Sequence, residues 1–369
     1  MKIEAALAFE ANGPLTLKQV DLEEPGPGDI LVRVVATGLC HTDLTVLANP
    51  QLPWPAIFGH EGAGVVEKVG AGVTKVAAGD HVVMTTASCG KCPKCLTGNP
   101  SYCVDFRAIN MSGGYKPDGT CTHKHEGKPV FARFLGQSSF ASHLLTGERS
   151  VVKVDQNLPL EVLAPFGCGI QTGAGAVLNT LKPRPGSSLV VFGAGGVGLS
   201  ALMAAKIAGC TTLIMVDKVA SRLELAKELG ATHLVNAGEE DVQERVREIT
   251  GGGADYSVEA VGAAKVMEQV IDVLGQGGVA VLVGVAGAEA SVAFNPMMLQ
   301  GKGAGIKGTI MAGDGGVPDI FIPQLISYWQ QGLLPVEKLI RFYEFGDIND
   351  AIHDVHDGSA IKPVMRLPE

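Results

Sequence analysis

A chain of 369 residues, 46% hydrophobic and 18% charged, carries enough apolar side chains for two globular domains. Its net charge of −9 at pH 7, with no basic tail, excludes nucleic acid as a partner, because phosphates are bound by clustered Lys and Arg. No apolar run reaches the roughly 18 residues of a membrane helix, and Met1-Lys-Ile-Glu-Ala-Ala-Leu lacks the pattern of an export signal, so a cytoplasmic protein away from membranes is expected.

Residues 1–88 read as β-rich. Ile30 to Thr37, Gly64 to Gly70 and His81 to Thr86 are short β-branched runs, punctuated by Gly and Pro at 25–28, 70–72 and 79. This predicts a small barrel whose loops carry polar residues.

Cys89, Cys92, Cys95 and Cys103 follow, in the spacing C-x2-C-x2-C-x7-C. Four thiolates this close in sequence can close a tetrahedron around one Zn²⁺, with metal–sulfur distances of about 2.3 Å. Gly90 and Pro93 favour the tight turns that aim successive sulfurs inward. Four sulfurs leave no open position, so such a site is structural. An Fe–S cluster also accepts four cysteines, and two disulfides are the third reading. The spacing and the expected reducing compartment favour zinc.

Outside that stretch lies a scattered second set of metal-type residues, Cys40, His60, Glu61 and Cys168. Three ligands of nitrogen and sulfur type leave a fourth position open for water or substrate. One closed and one open site, two Zn²⁺ per chain, are therefore expected. Cys121 and Cys210 remain as structural thiols.

Residues 104–135 read as an irregular polar excursion, and Gln137 to His143 as a return to strand. Near Gly169 the pattern changes. Ile170–Leu181 reads as a helix, Ser188–Phe192 as a buried strand, and the residues after Gly195 as an Ala-rich helix. Strands at 212–217, 233–235, 256–259 and 279–285 then alternate with helices at 222–229, 242–249 and 264–274. Such alternation predicts a parallel sheet with helices on both faces. Helices at 320–331 and 346–358 and a closing strand at 361–366 complete the chain and are placed back with the N-terminal domain.

The turn Gly193-Ala-Gly195-Gly196-Val197-Gly198 follows a strand, opens a helix, and precedes Asp217 at the end of the next strand. Gly193 permits the tight turn, Gly195 lets backbone approach a pyrophosphate, and Gly198 lets helix and strand pack closely. The helix N-terminus offers unpaired N–H groups to the phosphates. Asp217 would hold the adenosine ribose hydroxyls and repel a 2′-phosphate, which predicts NAD over NADP. Lys218 and Arg222 are the basic residues that stand against that preference.

With these motifs, namely Gly38-Leu-Cys40-His41-Thr42-Asp43, Gly59-His60-Glu61-Gly62-Ala-Gly64, the four-cysteine lobe, Gly167-Cys168-Gly169 and the glycine turn, the chain resembles the zinc-dependent medium-chain alcohol dehydrogenases over essentially its full length. Gly136-Gln-Ser-Ser-Phe140, Gly167 to Gly175 and Phe321-Ile-Pro323 look most like the bacterial benzyl (aryl) alcohol dehydrogenases, with the geraniol dehydrogenases similar in the same places. The resemblance implies an α/β fold: a β-rich, GroES-like catalytic domain from 1–170 with 311–369, and a Rossmann doubly wound cofactor domain from 171–310. It implies that Cys40, His60 and Cys168 ligate the catalytic zinc, that Asp43 orients His60, and that Glu61 lies behind the metal and approaches it during ligand exchange. It also implies that Thr42 receives the alcohol proton. His41 and Arg366 would contact the pyrophosphate, and Thr172 would lie near the nicotinamide, with Arg222 and Val285 also at the cofactor. Thr45 departs from the family, many of whose members carry a proton-relaying His there. Trp54, Thr85, Phe134 and Met311 are the expected pocket walls, and the small Thr85 leaves room for a ring. The implied reaction is NAD-dependent oxidation of a primary aryl alcohol to the aldehyde. Geraniol and the formaldehyde–thiol adduct are the alternative substrates. A homodimer through the sheet edge around 279–311 is implied, with the tetramer as the other family form.

Overall fold

The computed structural model describes residues 1–115, 121–287 and 289–368. The chain forms two compact units, Met1–Cys168 with Val317–Ile326 and Glu337–Glu369, and Gly169–Gly316 with Ser327–Val336. No helix among the described residues is long and apolar enough to cross a membrane.

The first unit is built on largely antiparallel sheets, formed by the β-branched runs. Its central strand, Asp29–Gly38, pairs with three others that come from distant parts of the chain: Glu61–Val69, His143–Gly147 and Lys362–Arg366. Gly38 lies opposite both Glu61 and Val364, so the starts of two functional stretches meet at one end of this strand. A second sheet begins with Lys2–Ala8 against Thr16–Leu22. Between the sheets sits one apolar core that includes Phe58, Phe134 and Phe140, all essentially without exposure.

The second unit holds a six-stranded parallel sheet. Its strands are numbered here β1 (Ser188–Phe192), β2 (Thr212–Asp217), β3 (His233–Asn236), β4 (Ala254–Glu259), β5 (Leu274–Leu282) and β6 (Gly305–Gly308). Their order is β3-β2-β1-β4-β5-β6. The order reverses between β1 and β4, which is the switch point where doubly wound sheets bind ligands, outside the carboxyl ends of the strands.

Several elements differ from the sequence expectation. The run 170–181 is α-helical only over Gly169–Gly175 and continues as a π-helix over Ala176–Leu181. Residues 137–142 are not a strand, since strand structure resumes only at His143. Their backbone still pairs, with Phe140 N donating to Phe58 O at 3.0 Å and Ser142 N to Glu4 O at 2.8 Å, and side chains add to it: Ser138 Oγ donates to Ile57 O at 2.7 Å, and the Thr37 and Ser139 hydroxyls lie 2.7 Å apart. Strand β5 starts earlier than expected and stops at Leu282, leaving Val285 in the loop beyond. The polar excursion contains a short helix, Phe106–Asn110, and a strand, His123–His125; residues 116–120 of that stretch lie outside the described residues. Residues 311–316 belong with the second unit because the π-helix holds them. Asn179 Nδ2 donates to Ala312 O at 2.7 Å, and Asp314 N donates to Thr180 Oγ1 at 3.2 Å.

Candidate active site and metal centres

The four-cysteine lobe folds on its own local geometry. Cys92 precedes a single helical turn, Pro93–Leu96, and Gly90 takes a φ of +70° that a side chain would strain. All eight cysteines are free thiols, which removes the disulfide reading. The Sγ atoms of Cys89, Cys92, Cys95 and Cys103 all lie within 4.8 Å of one another, with Cys92–Cys95 at 3.5 Å and Cys89–Cys95 at 3.9 Å. Four sulfurs at about 2.3 Å from one zinc would be about 3.8 Å apart in a regular tetrahedron, so the set fits a single zinc. It is too compact to cage an iron–sulfur cluster. Backbone N–H groups point at the sulfurs, from Cys92 to Cys89 and from Cys89 to Cys103, both at 3.3 Å. The N–H groups of Val104 and then Cys95 bring the Cys92 thiol down to about 6, favouring the thiolate that binds metal.

The second centre is assembled from element ends. Cys40 stands immediately before the helix His41–Leu47, His60 immediately before the strand Glu61–Val69, and Cys168 just after the turn Ala164–Gly167. Their ligand atoms lie within 4.8 Å of one another, at 9%, 1% and 8% exposure respectively. Asp43 is the hub behind them. Its Oδ1 lies 2.8 Å from His60 Nδ1 and accepts from Gly59 N, and its Oδ2 accepts from Cys40 N. A carboxylate at Nδ1 holds a proton there, so the neutral ring carries its lone pair on Nε2. That Nε2 is buried and has no hydrogen-bond partner among the described residues. An orphaned acceptor between two thiols is what a bound metal ion would satisfy. The thiols themselves divide a proton: the Cys168 S–H lowers Cys40 well below the ordinary thiol range, while Cys40 raises Cys168. Phe134 meets the His60 ring edge-on, with centroids 5.6 Å apart.

Glu61 does not join these three as a ligand. Its buried carboxylate is gripped by Lys362 Nζ, at 2.9 and 2.8 Å to its two oxygens. Lys362 also donates to Leu39 O at 3.2 Å. Burial opposes a charged lysine, but the Glu61 carboxylate outweighs it and holds the Lys362 pKa above its ordinary value. Gly38 makes room for the pair, since a Cβ there would collide with Glu61 Oε2. Sequence reasoning missed Lys362, and also Gln137, whose Oε1 accepts from Gly62 N at 3.0 Å and whose Nε2 donates to His60 O at 2.8 Å. The signal for Lys362 was a cation inside the otherwise apolar run Ala360-Ile-Lys-Pro-Val-Met.

The remaining expected residues of this unit are placed as follows. Thr42 Oγ1 lies 3.9 Å from Cys40 Sγ, and His41 is exposed in the first turn of its helix. Thr45 is exposed and donates its hydroxyl back to His41 O at 3.0 Å. Thr85 donates to Gly167 O at 2.9 Å, fastening the turn before Cys168. Phe134 is fully buried, and Trp54 packs edge-on against Phe58. The Arg366 guanidinium stacks 3.8 Å over Phe342. Met311 belongs to the second unit.

In the second unit, Gly193 has φ +97° and Gly195 caps the helix Gly196–Ile207. A Cβ on Gly198 would collide with Gly193 O, whereas one on Gly195 would meet nothing within 4 Å. The third glycine therefore serves packing, and the second leaves open backbone for a ligand, with Gly196 and Val197 supplying the first helical N–H groups. Asp217 closes β2, and its Oδ2 accepts from Ala194 N at 2.6 Å, so the acid is tied to the glycine turn itself. Its Oδ1 accepts from Lys218 N and Val219 N. Arg222 is half-buried in the next helix, and Val285 is 58% exposed. Thr172 Oγ1 is buried without a partner among the described residues.

A closed tetrathiolate lobe, an open Cys–His–Cys centre and a glycine-turn dinucleotide fold together define a zinc- and NAD-dependent oxidoreductase. The chain matches the alcohol dehydrogenase GroES-like domain over residues 26–156 and the zinc-binding dehydrogenase domain over residues 196–326. It is 39% identical to geraniol dehydrogenase of Castellaniella defragrans, over 98% of this chain and 97% of that one. It is 37% identical to S-(hydroxymethyl)glutathione dehydrogenase of a Synechocystis strain, over 99% and 100%. Among solved structures, benzyl alcohol dehydrogenase of Acinetobacter calcoaceticus superposes with a TM-score of 0.95 at 42% identity, covering 100% of both chains. The chain belongs to the zinc-dependent medium-chain alcohol dehydrogenase family, and it is an alcohol dehydrogenase using zinc and NAD.

Proposed function

We propose that this enzyme oxidises primary aryl alcohols of the benzyl type to aldehydes with NAD. The observation that carries the reading is the full-length match to a benzyl alcohol dehydrogenase, at 42% identity. Two features of the site support it. Thr85 is small and spends its hydroxyl proton on Gly167 O, so that proton is not offered to a polar substrate. Lys362, the cation beside the open centre, is already bound to Glu61, and so is not available for the carboxylates of a glutathione adduct.

In this reading Cys40, His60 and Cys168 hold the catalytic zinc, and Cys89, Cys92, Cys95 and Cys103 hold the structural one. Zinc supplies a Lewis acid that makes an alcohol O–H more acidic, and NAD supplies the hydride acceptor. Asp43 fixes the His60 ring and its tautomer. Thr42 takes the alcohol proton, which leaves through the ribose hydroxyl and water or through the exposed His41. Either route is compatible with Thr45, whose hydroxyl is turned to the helix backbone. Gly193, Gly195 and the first helical N–H groups cradle the pyrophosphate, and Asp217 holds the ribose. The proposed assembly is a cytoplasmic homodimer joined through the edge strand β6, with Met297, 78% exposed, and Phe294, 48% exposed, in the residues that precede that strand; light scattering tests it.

The deciding experiment is a panel of benzyl, cinnamyl, geranyl and short aliphatic alcohols and S-(hydroxymethyl)glutathione, each with NAD and NADP. The expected result is a kcat/KM with NAD for benzyl or cinnamyl alcohol about tenfold or more above the others, or at least 1.4 kcal/mol of transition-state preference. Higher kcat/KM for geraniol or the glutathione adduct sinks the aryl assignment.

A further inference from the structure

Glu259 is a buried acid that none of the roles above uses. It is the last residue of β4, lies opposite Phe192 of β1 in the parallel register, and has no exposed surface. Its carboxylate joins two loops. Oε1 accepts from Val261 N at 2.9 Å and Gly262 N at 2.7 Å, in the loop after β4; Oε2 accepts from Gly284 N at 3.2 Å, in the loop after β5. Burial pushes the acid up from its ordinary pKa, and the backbone N–H groups of Gly262, Val261 and Gly284 oppose that push.

The surroundings are shaped for this junction. A Cβ on Gly284 would collide with Gly262 N and come within 2.6 Å of Glu259 Oε2, and a Cβ on Gly262 would come within 2.6 Å of Val285 O. Two glycines therefore let the loops close on the carboxylate. The joined loops also touch the glycine turn: Ala260 N donates to Phe192 O at 2.9 Å, and a Cβ on Gly193 would come within 2.8 Å of Val261 Cγ2. The strand order reverses here, between β1 and β4, and dinucleotides bind such sheets in the crevice outside their carboxyl ends.

We propose that Glu259 is a positioning residue for NAD: by bonding three backbone N–H groups it holds the loops after β4 and β5 in the conformation that receives the dinucleotide beside Gly193. The proposal rests on the NAD-dependent reading of this chain. The acid touches no reacting atom. It acts through Val261, Gly262 and Gly284, and its effect falls on cofactor binding, not on the metal centre.

Glu259→Gln tests it, because the shape is kept while an amide N–H₂ is set against one of the backbone donors. The measurements are amide hydrogen exchange at Val261, Gly262 and Gly284 without cofactor, NADH affinity by fluorescence titration, kcat and KM for NAD, and zinc content. The proposal expects faster exchange at those amides and roughly tenfold weaker NADH binding, as for loss of a buried hydrogen bond to a charged group. It also expects a matching rise in KM, kcat within about twofold of wild type and two zinc ions retained. A purely structural role would lower the melting temperature and leave NADH affinity of the folded fraction unchanged, which overturns the proposal, as does unchanged exchange at the three amides. Gly284→Ala opens the same junction with the acid intact. If Glu259→Gln does not fold, NADH binding by folded Gly284→Ala as tight as wild type overturns the proposal and roughly tenfold weaker binding supports it. Wild-type protein that binds no NADH would remove the cofactor reading and this proposal with it; wild-type binding with unaffected variants removes this proposal alone.

Discussion

Asp43 Oδ1 stands 2.8 Å from His60 Nδ1, and the same carboxylate accepts the backbone N–H groups of Gly59 and Cys40. One buried acid thus orients the His60 ring and fixes the backbone beside it and beside Cys40. In the neutral ring that contact puts the lone pair of His60 on Nε2.

Asp43→Asn keeps the size but removes the charge and sets an N–H₂ against one of these donors. Zinc affinity at the open centre is expected to fall about 10- to 100-fold, with kcat/KM falling in parallel. Dialysis against graded chelator followed by metal analysis checks this. Retention of both zinc ions at wild-type chelator concentrations, with wild-type activity, would show that Asp43 does not orient His60.

The four-cysteine lobe makes a separate prediction. Cys103→Ser should leave one zinc per chain and lower the melting temperature, because the metal closes a lobe with little apolar core of its own. Residual protein that stays folded should still bind metal at Cys40, His60 and Cys168. Metal content with calorimetry checks both halves; a variant that keeps two zinc ions contradicts the four-ligand assignment.

These two centres differ in how legible they were. The lobe is local: its ligands span fifteen residues, and their spacing alone draws the site. The glycine turn was equally legible, since strand, turn, helix and acid lie in one stretch and Asp217 bonds to that turn. The open centre depends on strand pairing, which sequence spacing does not reveal. Lys362 reaches Glu61 across 301 residues because both flank Gly38 in one sheet. Read without that sheet, Glu61 looks like a fourth metal ligand and Lys362 like a surface lysine. Gln137 was hidden for another reason. Its segment has strand-like composition, and nothing in that composition shows that its polar side chains also reach across to the backbone of Ile57, His60 and Gly62.

His123 gives a pH prediction. It is buried, and burial first, then the Arg133 charge, brings its pKa down to about 3. The folded protein therefore keeps it neutral, while the unfolded chain protonates it near its ordinary value. The unfolded state binds the extra proton between those two values, so stability falls as pH is lowered through that window, by up to about 1.4 kcal/mol per pH unit from this group. His123→Gln should flatten the loss. Urea unfolding at pH 7 and pH 5 checks it: the stability difference between the two pH values should be about 2 kcal/mol smaller in the variant. An identical difference in both proteins contradicts a neutral buried His123.

The Lys362–Glu61 pair supports a double-mutant cycle. Removing one partner leaves the other charge buried, so Lys362→Met alone or Glu61→Gln alone should each destabilise the protein by about 3–5 kcal/mol. The double variant buries a thioether beside an amide and no net charge, and should recover most of that loss. The two oxygens of Glu61 are held by Lys362 behind the open centre, so the single Lys362→Met variant also takes that cation away from a carboxylate near Cys40 and His60. Denaturant unfolding gives the cycle, and metal analysis of the same four proteins follows the centre. Single variants as stable as wild type would mean that the charges are solvated, which contradicts the burial of both side chains, at 5% and 0% exposure. A double variant no better than the singles would instead place the loss in packing around Gly38, where the carboxylate now fits without space to spare.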